Sequence, residues 1–528
     1  MAGNQKRNAA EKEFVFESRL PSFAIPDVDM TLPEFVFDGV EDYADQVAIV
    51  DSSDGRKYTY GEFTRLIKNT ASGLASVGVK KGDVVCIVLP NVAEYYILVF
   101  GILTVGGIFS GCNPYAHSSE IQKQIRSSEA KLIITDPATL AKMTDMNVPI
   151  VVAGGEAPSG TVAVETLFRA DGSKAPSVSI SPDDVCLLPY SSGTTGMPKG
   201  VMLTHRNMVA NLCQTMGRRQ TRFSDDQLIS QTVLGLMPFF HIYGICGLGC
   251  VGFRSRGTVV VMQRYEIRRL LQVLIDYGVT HAPLVPPIIL SLVKNPIVDE
   301  FDLKALKLTS IMCASAPLGF GLQQAFQKKF PDIEITQAYG LTEYSCVTMS
   351  HSPLVNGMDI KPAKQGSVGC ILTGSKLKFV DPDTGRSLPA NTHGELCIKG
   401  PATMSGYFKN AAATENIIDQ DGWLHTGDIG YIDEDGDVFI VERLKELIKI
   451  PDDEAGEIPA ACVVLKPNSP VKLNEVKEYV NSQISSYKKI RFIESVLEIP
   501  KSMSGKILRR TLRDQVALKY RGQTRSLL

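Results

Sequence analysis

Between two apolar runs, Val185–Leu188 and Val201–Leu203, the chain carries Tyr190-Ser191-Ser192-Gly193-Thr194-Thr195-Gly196-Met197-Pro198-Lys199-Gly200. Its glycines let the backbone approach an anion closely. Ser191, Ser192, Thr194 and Thr195 add neutral donors, and Lys199 adds a positive charge. Together they suit a polyphosphate. A flexible Ser/Gly linker is the competing reading, but a linker is not expected between two buried strands with a Pro-Lys-Gly clamp at its end. The loop is not a Walker A motif: Pro198 stands where G-x-x-x-x-G-K-[ST] requires its second glycine.

The flanking pattern places this loop in an α/β protein. Thr59-Tyr60-Gly61-Glu62 has capping-box spacing, and Leu66, Ile67, Leu74 and Val77 follow on one helical face. The run Val84–Leu89 reads as a buried strand, Asn91-Val92-Ala93-Glu94 as the start of a second helix, and Lys131–Thr135 as the next strand. Such alternation predicts parallel-type sheet covered by helices. The texture changes near Gly422, where the acidic turn Tyr431–Asp437 precedes the strand-like Val438–Val441. Beyond Pro451 we expect a strand at Ala460–Leu465, a helix from Leu473 to about Ile484 and a last helix at Ile507–Ala517. The expected organisation is a large amino-terminal body of several subdomains with mixed sheets, residues 1–441. A small α+β carboxy-terminal domain, residues 442–528, follows a boundary near Glu442.

Charge and cysteine usage exclude several classes. The 55 Lys+Arg against 57 Asp+Glu leave no basic excess to hold a phosphate backbone, so nucleic acid is not an expected partner. The 11 cysteines contain no Cys-x-x-Cys and read as buried free thiols in a reducing compartment. Two long uncharged runs, Tyr95–Ser119 and Gln227–Phe253, are interrupted by glycines and prolines. They read as core rather than as membrane spans. The amino terminus has no apolar signal-peptide region.

At the phosphate loop the chain resembles the adenylate-forming superfamily of acyl-CoA synthetases, luciferases and peptide-synthetase adenylation domains. Three further segments match in the same order: Gln337-Ala338-Tyr339-Gly340-Leu341-Thr342-Glu343, then Gly422-Trp423-Leu424-His425-Thr426-Gly427-Asp428, then Pro500-Lys501-Ser502-Met503-Ser504-Gly505-Lys506. Within the family it is most similar to plant 4-coumarate–CoA ligases and their ligase-like relatives. The resemblance implies a two-step ligase. A carboxylate attacks the α-phosphate of ATP and releases pyrophosphate, and coenzyme A then takes the acyl group from the adenylate.

By the same resemblance, Ser191, Ser192, Gly193, Thr194, Thr195 and Lys199 hold the β- and γ-phosphates. Gln337 and Ala338 lie beside adenine, Thr342 belongs to the nucleotide site, and Glu343 coordinates Mg²⁺. Asp428 accepts hydrogen bonds from the ribose hydroxyls, and Arg443 contacts the ribose. His241 and Tyr243, in a P-x-F-H-x-Y motif, belong to the acyl site, although a satisfied core histidine is the competing reading for His241. Lys506 reaches the substrate carboxylate and the α-phosphate and serves the first step. Arg264 matches a position used for the nucleotide part of coenzyme A; an ordinary surface arginine is the alternative. Lys445 and Lys449 match the segment that follows the hinge. The pocket positions Tyr243, Ser315, Ala338, Gly340 and Val347 carry no charge, so an uncharged acyl tail is expected, either a hydroxycinnamate or a medium-chain fatty or oxylipin acid.

The chain also departs from the family. After Ile450 the ligases continue through a loop, a helix and a strand. Here Pro451-Asp452-Asp453-Glu454-Ala455-Gly456-Glu457-Ile458-Pro459 follows at once, resembling sequence normally met roughly 30 residues later. This reads as an internal deletion, of the kind an alternative transcript or a gene-model error produces. It removes the loop that lines the pantetheine tunnel. Ser315 stands in Cys313-Ala314-Ser315-Ala316-Pro317, where the ligases usually have Gly-Ala-Ala-Pro. We expect a monomer or weak homo-oligomer in the cytoplasm, with the peroxisome as alternative because the chain closes on Ser526-Leu527-Leu528.

Overall fold

The computed structural model describes residues 13–19, 30–143, 146–191, 198–220, 231–316, 318–350, 364–382, 384–443, 448–452, 456–466, 469–482, 489–500 and a few positions between 511 and 519. Among these residues two large sheets form, of fourteen and nine strands, with a three-stranded sheet towards the carboxy terminus. The mixed α/β body and small carboxy-terminal unit expected from the sequence are both present.

The nine-stranded sheet holds the early alternation. Val84–Val88 lies parallel between Ile108–Gly111 and Leu132–Thr135. The helix Tyr60–Ser76 is capped by Thr59, whose hydroxyl accepts the Glu62 N–H while the Glu62 carboxylate accepts the Thr59 N–H. Ile67 and Leu74 are buried on its inner face.

The second helix, Glu94–Thr104, starts later than the sequence suggests. Asn91 is used elsewhere. Its amide donates to the carbonyls of Leu236 and Met237 at 3.2 and 3.0 Å and accepts the Phe239 N–H at 2.9 Å. A polar residue in a buried position can satisfy two donors and an acceptor this way, and here it ties one sheet to the other. Tyr95 to Leu103 are buried all round, as expected of the first apolar run, and no helix of the described residues is long and apolar enough to cross a membrane. All eleven cysteines are free, and all but Cys370 and Cys462 are buried.

An aromatic cluster joins the layers. Phe253 packs against Phe63 at 5.0 Å, Tyr96 at 5.3 Å and Phe37 at 6.0 Å between ring centroids. Truncating a ring so placed typically costs about 3–5 kcal/mol.

The fourteen-stranded sheet changes character along its length. Val47–Asp51, Thr258–Val261, Thr232–Gly235, His281–Leu284, Ser310–Cys313 and Glu334–Leu341 run parallel. At Glu334–Leu341 the next neighbour, Cys346–Ser350, is antiparallel, and the sheet continues so through Gly369–Ile371, Asp437–Arg443, Leu424–Ile432, Gly394–Lys399 and Lys376–Val380. Ligands of open α/β sheets bind outside the carboxyl ends of parallel strands, where the topology turns over.

The small sheet pairs Ile448–Asp452 antiparallel with Gly456–Val463, which lies parallel to Phe492–Ser495. The expected helix is found at Leu473–Ser482. The expected last helix, 507–517, falls mostly outside the described residues.

Candidate active site

Adjacent parallel strands deliver the predicted residues to one end of the sheet. Thr232–Gly235 leads into the segment with His241 and Tyr243, Ser310–Cys313 into Ser315, and Glu334–Leu341 runs past its neighbour into Thr342 and Glu343. Ser315 sits at φ +73°, a left-handed conformation that costs a non-glycine residue about 1–3 kcal/mol and clusters at functional sites.

The phosphate loop is clamped at its base. Ser191 pairs with Lys199 and Tyr190 with Gly200 across a short antiparallel ladder, so the loop leaves and returns at one point. The tip, with Ser192, Gly193, Thr194 and Thr195, lies outside the described residues. On its other side the strand Lys199–Thr204 pairs with Gly406–Tyr407, Val201 opposite Tyr407.

These pairings surround Glu343. The Ser191 hydroxyl donates to Glu343 Oε1 at 2.7 Å, and the Tyr407 hydroxyl donates to the same oxygen at 2.9 Å. Lys199 Nζ lies 4.9 Å from the centroid of the Tyr407 ring. Glu343 is buried, and among the described residues it meets hydroxyls but no ion-pair partner. A buried carboxylate without a cation is costly, and its hard oxygens match a hard divalent ion. The residues therefore fit the Mg²⁺ that the family resemblance implies. Burial first, and then the Glu343 charge, raise the Tyr407 hydroxyl well above its ordinary pKa, so it remains a donor.

A second carboxylate is oriented nearby in the sheet. Asp428 is buried, and its Oδ2 accepts the Tyr339 hydroxyl at 2.5 Å. Its own N–H donates to Thr426 Oγ1 at 3.1 Å. The register explains its presentation: Cys397 faces His425 and Glu395 faces Ile429, so three residues bulge opposite one, with Gly427 at φ +68°. Asp428 pairs across the sheet with Arg443, whose side chain is outside the described atoms. Gln337 is buried, and its carbonyl oxygen accepts the Leu318 N–H at 2.9 Å, holding the segment after Ser315. Ala338 is half-buried and Gly340 exposed.

In the segment after Thr232–Gly235, His241 is exposed, and its Nδ1 accepts the Tyr243 N–H at 3.3 Å. Tyr243 opens a π-helical stretch, Gly244–Cys250, a form concentrated at functional sites. Its glycines are sterically required. A Cβ on Gly247 would stand 2.5 Å from the Tyr243 ring, and one on Gly244 2.2 Å from the Pro238 carbonyl oxygen.

Arg264 lies outside this grouping, exposed, with its guanidinium 5.0 Å from the Tyr115 ring centroid. Lys449 has its backbone in the small sheet opposite Pro459, and its side chain is outside the described atoms. Lys445 and Lys506 are outside the described residues, and only the backbone of Val347 is described. Sequence reasoning missed Tyr339 and Tyr407. Tyr339 was within reach, because strand alternation puts it on the face of Gln337.

Residues 36–408 match the AMP-binding enzyme family, and residues 448–506 match the AMP-binding enzyme C-terminal domain. A 4-coumarate–CoA ligase-like 1 of Arabidopsis thaliana is 49% identical over 545 aligned residues, covering 97% of this chain and 99% of that protein. A 4-coumarate–CoA ligase 5 of Oryza sativa subsp. japonica is 38% identical, with 96% and 98% covered. Among solved structures, ATP-bound MatB from Rhodopseudomonas palustris superposes with a TM-score of 0.78, covering 93% of this chain and 100% of that one. At 23% identity that likeness shows the fold alone.

Proposed function

The chain belongs to the AMP-binding enzyme family, and from that premise we propose that it is an ATP-dependent carboxylate–CoA ligase working through an acyl adenylate. The carrying observation is the grip on Glu343 by Ser191 and Tyr407 at the base of the phosphate loop, with buried Asp428 bonded to Tyr339 of the strand that leads to Glu343. In the first step a carboxylate oxygen bonds to the α-phosphorus of ATP and the bond to pyrophosphate breaks. In the second, the thiol sulfur of coenzyme A bonds to the acyl carbon, and AMP leaves. Both steps spread negative charge, so oriented donors and cations are what the site must supply. The loop and Lys199 hold phosphates, Asp428 holds the ribose, and Lys506 meets the α-phosphate. Mg²⁺ held by Glu343 would neutralise the phosphate oxygens.

The uncharged positions Tyr243, Ser315, Ala338 and Gly340 support an aromatic hydroxycinnamate-type or a medium-chain fatty or oxylipin acid. The ligase-like relative at 49% identity supports the first. A substrate panel with pyrophosphate exchange tests the choice; exchange with neither class would defeat the reading.

A second reading is favoured by the join after Ile450: adenylation without efficient transfer to coenzyme A. Asp452 pairs antiparallel with Gly456 where the ligases have a loop, a helix and a strand. The 545 positions aligned with the Arabidopsis relative exceed the 528 residues of this chain, as a missing segment requires. A thiol held loosely loses positioning that contributes several kcal/mol to an intramolecular reaction. Inserting the family's segment between Ile450 and Pro451 should raise acyl-CoA formation far more than pyrophosphate exchange. Equal acyl-CoA turnover by both chains would sink this second reading and leave the first standing.

A further inference from the structure

We infer that Glu395, Cys397 and His425 form a binding site for a borderline-soft divalent cation of the zinc class, with three protein ligands and a position left for solvent. The three sit on neighbouring strands, Gly394–Lys399 and Leu424–Ile432, behind the bulge that presents Asp428. Their ligand atoms all lie within 4.8 Å of one another. His425 Nδ1 is 3.1 Å from Glu395 Oε2 and 3.4 Å from Cys397 Sγ. A tetrahedral zinc ion with ordinary bond lengths sets neighbouring ligands roughly 3.4–3.6 Å apart, close to both distances from His425, and the Glu395–Cys397 separation would have to close to that spacing.

Hydrogen bonding alone satisfies His425 and Glu395 but holds Cys397 weakly. His425 Nε2 lies 3.4 Å from the Asp419 carboxylate, the partner expected for a protonated Nε2. In neutral imidazole that leaves a lone pair on Nδ1, aimed at a carboxylate oxygen and a sulfur. A second proton on Nδ1 directed at Glu395 Oε2 leaves Cys397 with only a 3.9 Å contact from its thiol to the Glu395 carbonyl oxygen. A cation between the three atoms would hold the sulfur as well.

The outer shell is that of a metal site. Asp419 behind His425 gives the carboxylate–histidine–metal arrangement that fixes the ring and its tautomer. The other Glu395 oxygen, Oε1, accepts the Gly427 N–H at 3.0 Å, which orients that ligand too. Cys397 is fully buried, while the side chains of His425 and Glu395 are 33% and 18% exposed, so an ion can enter from solvent. The donor set of sulfur, nitrogen and one oxygen selects zinc or cobalt over Mg²⁺, which separates this site from Glu343. An ion here would hold His425, just before Thr426 to Asp428, in register with Cys397 and Glu395 on the neighbouring strand.

The test uses the metal-stripped full chain titrated with Co²⁺. We expect one equivalent to bind with thiolate-to-cobalt charge-transfer absorption in the near ultraviolet, displaced by Zn²⁺ and not by excess Mg²⁺. Cys397→Ser should abolish that absorption. Asp419→Asn should weaken binding about 10–100-fold, as loss of an outer-shell partner does. If Cys397→Ser fails to fold, the partly exposed His425→Gln carries the same test, with circular dichroism to verify the fold and at least tenfold weaker binding expected. Absence of the band in the folded parent, its persistence in Cys397→Ser, or parent affinity in His425→Gln would each overturn the site and leave an imidazolium in its place.

Discussion

Tyr407→Phe isolates one hydrogen bond at the candidate metal ligand. The phenyl ring keeps its place beside the Lys199 ammonium and loses only the hydroxyl that donates to Glu343 Oε1 at 2.9 Å. Donor and acceptor are 3% and 8% exposed, so water does not replace the bond readily. A hydrogen bond to a charged group contributes about 1.5–3 kcal/mol, which is about 10–150-fold in an equilibrium or rate. Ser191 still donates to the same oxygen, which places the expected loss near the lower end, about tenfold. The measurement is pyrophosphate exchange at varied ATP and Mg²⁺, with a denaturation curve to confirm folding. kcat/KM for ATP should fall and the Mg²⁺ requirement should rise. Ser191→Ala should act in the same sense. Because the two donors share one acceptor, the double variant should depart from additivity by about 0.5–3 kcal/mol. A folded Tyr407→Phe protein within twofold of the parent in both readouts would refute the orienting role.

Three further outcomes are expected. Lys506→Ala should slow adenylate formation about 10²–10³-fold, with ATP binding nearly unchanged, because its charge matters most as the α-phosphate becomes five-coordinate; stopped-flow adenylate formation at the parent rate would contradict this. Gly244→Ala should destabilise by about 1–3 kcal/mol in urea unfolding, since its Cβ would stand 2.2 Å from the Pro238 oxygen. Burial holds His205 down to about 4, with its Nδ1 accepting the Leu32 N–H. The unfolded chain, with a histidine near 6.5, therefore binds the extra proton first, so this contribution is complete above that pH and is lost towards pH 4, about 3 kcal/mol in all. His205→Asn keeps an acceptor for Leu32 and should flatten the urea-stability slope between pH 7 and 5; an unchanged slope would assign it to other groups.

Where local chemistry decides the backbone, the sequence was readable. Thr59 and Glu62 cap their helix because both partners lie within one turn, and the short apolar run Val84–Leu89 read as a buried strand, found at Val84–Val88. Asn91 shows the limit. Its position before an apolar run resembles a helix start, but its amide is taken by Leu236, Met237 and Phe239, nearly 150 residues away. No local pattern encodes such a tether. The site divides in the same way. Glu343 and Asp428 could be picked out by their motifs, whereas the hydroxyls that orient them come from other strands. Tyr407 reaches Glu343 only because Gly406–Tyr407 pairs beside the phosphate loop.

The segment after Ile450 was readable as an anomaly and not as a shape. On either side of the join, Ile448–Asp452 pairs antiparallel with Gly456–Val463, which also pairs with Phe492–Ser495. Among the described residues, the core around that sheet holds buried Ala460, Leu512 and Val516, supported by half-buried Cys462, Phe492, Val496 and Ile499. Val464, Val471, Tyr479 and Leu497 stand exposed instead, Leu497 completely. That exposed apolar surface contrasts with the setting of Glu343 and Asp428, which are held by sheet registers and hydroxyls of the large body. Under the second proposed reading, the missing segment affects what depends on the small unit's own shape, whereas Glu343 and Asp428 stay where the body's strands and hydroxyls put them.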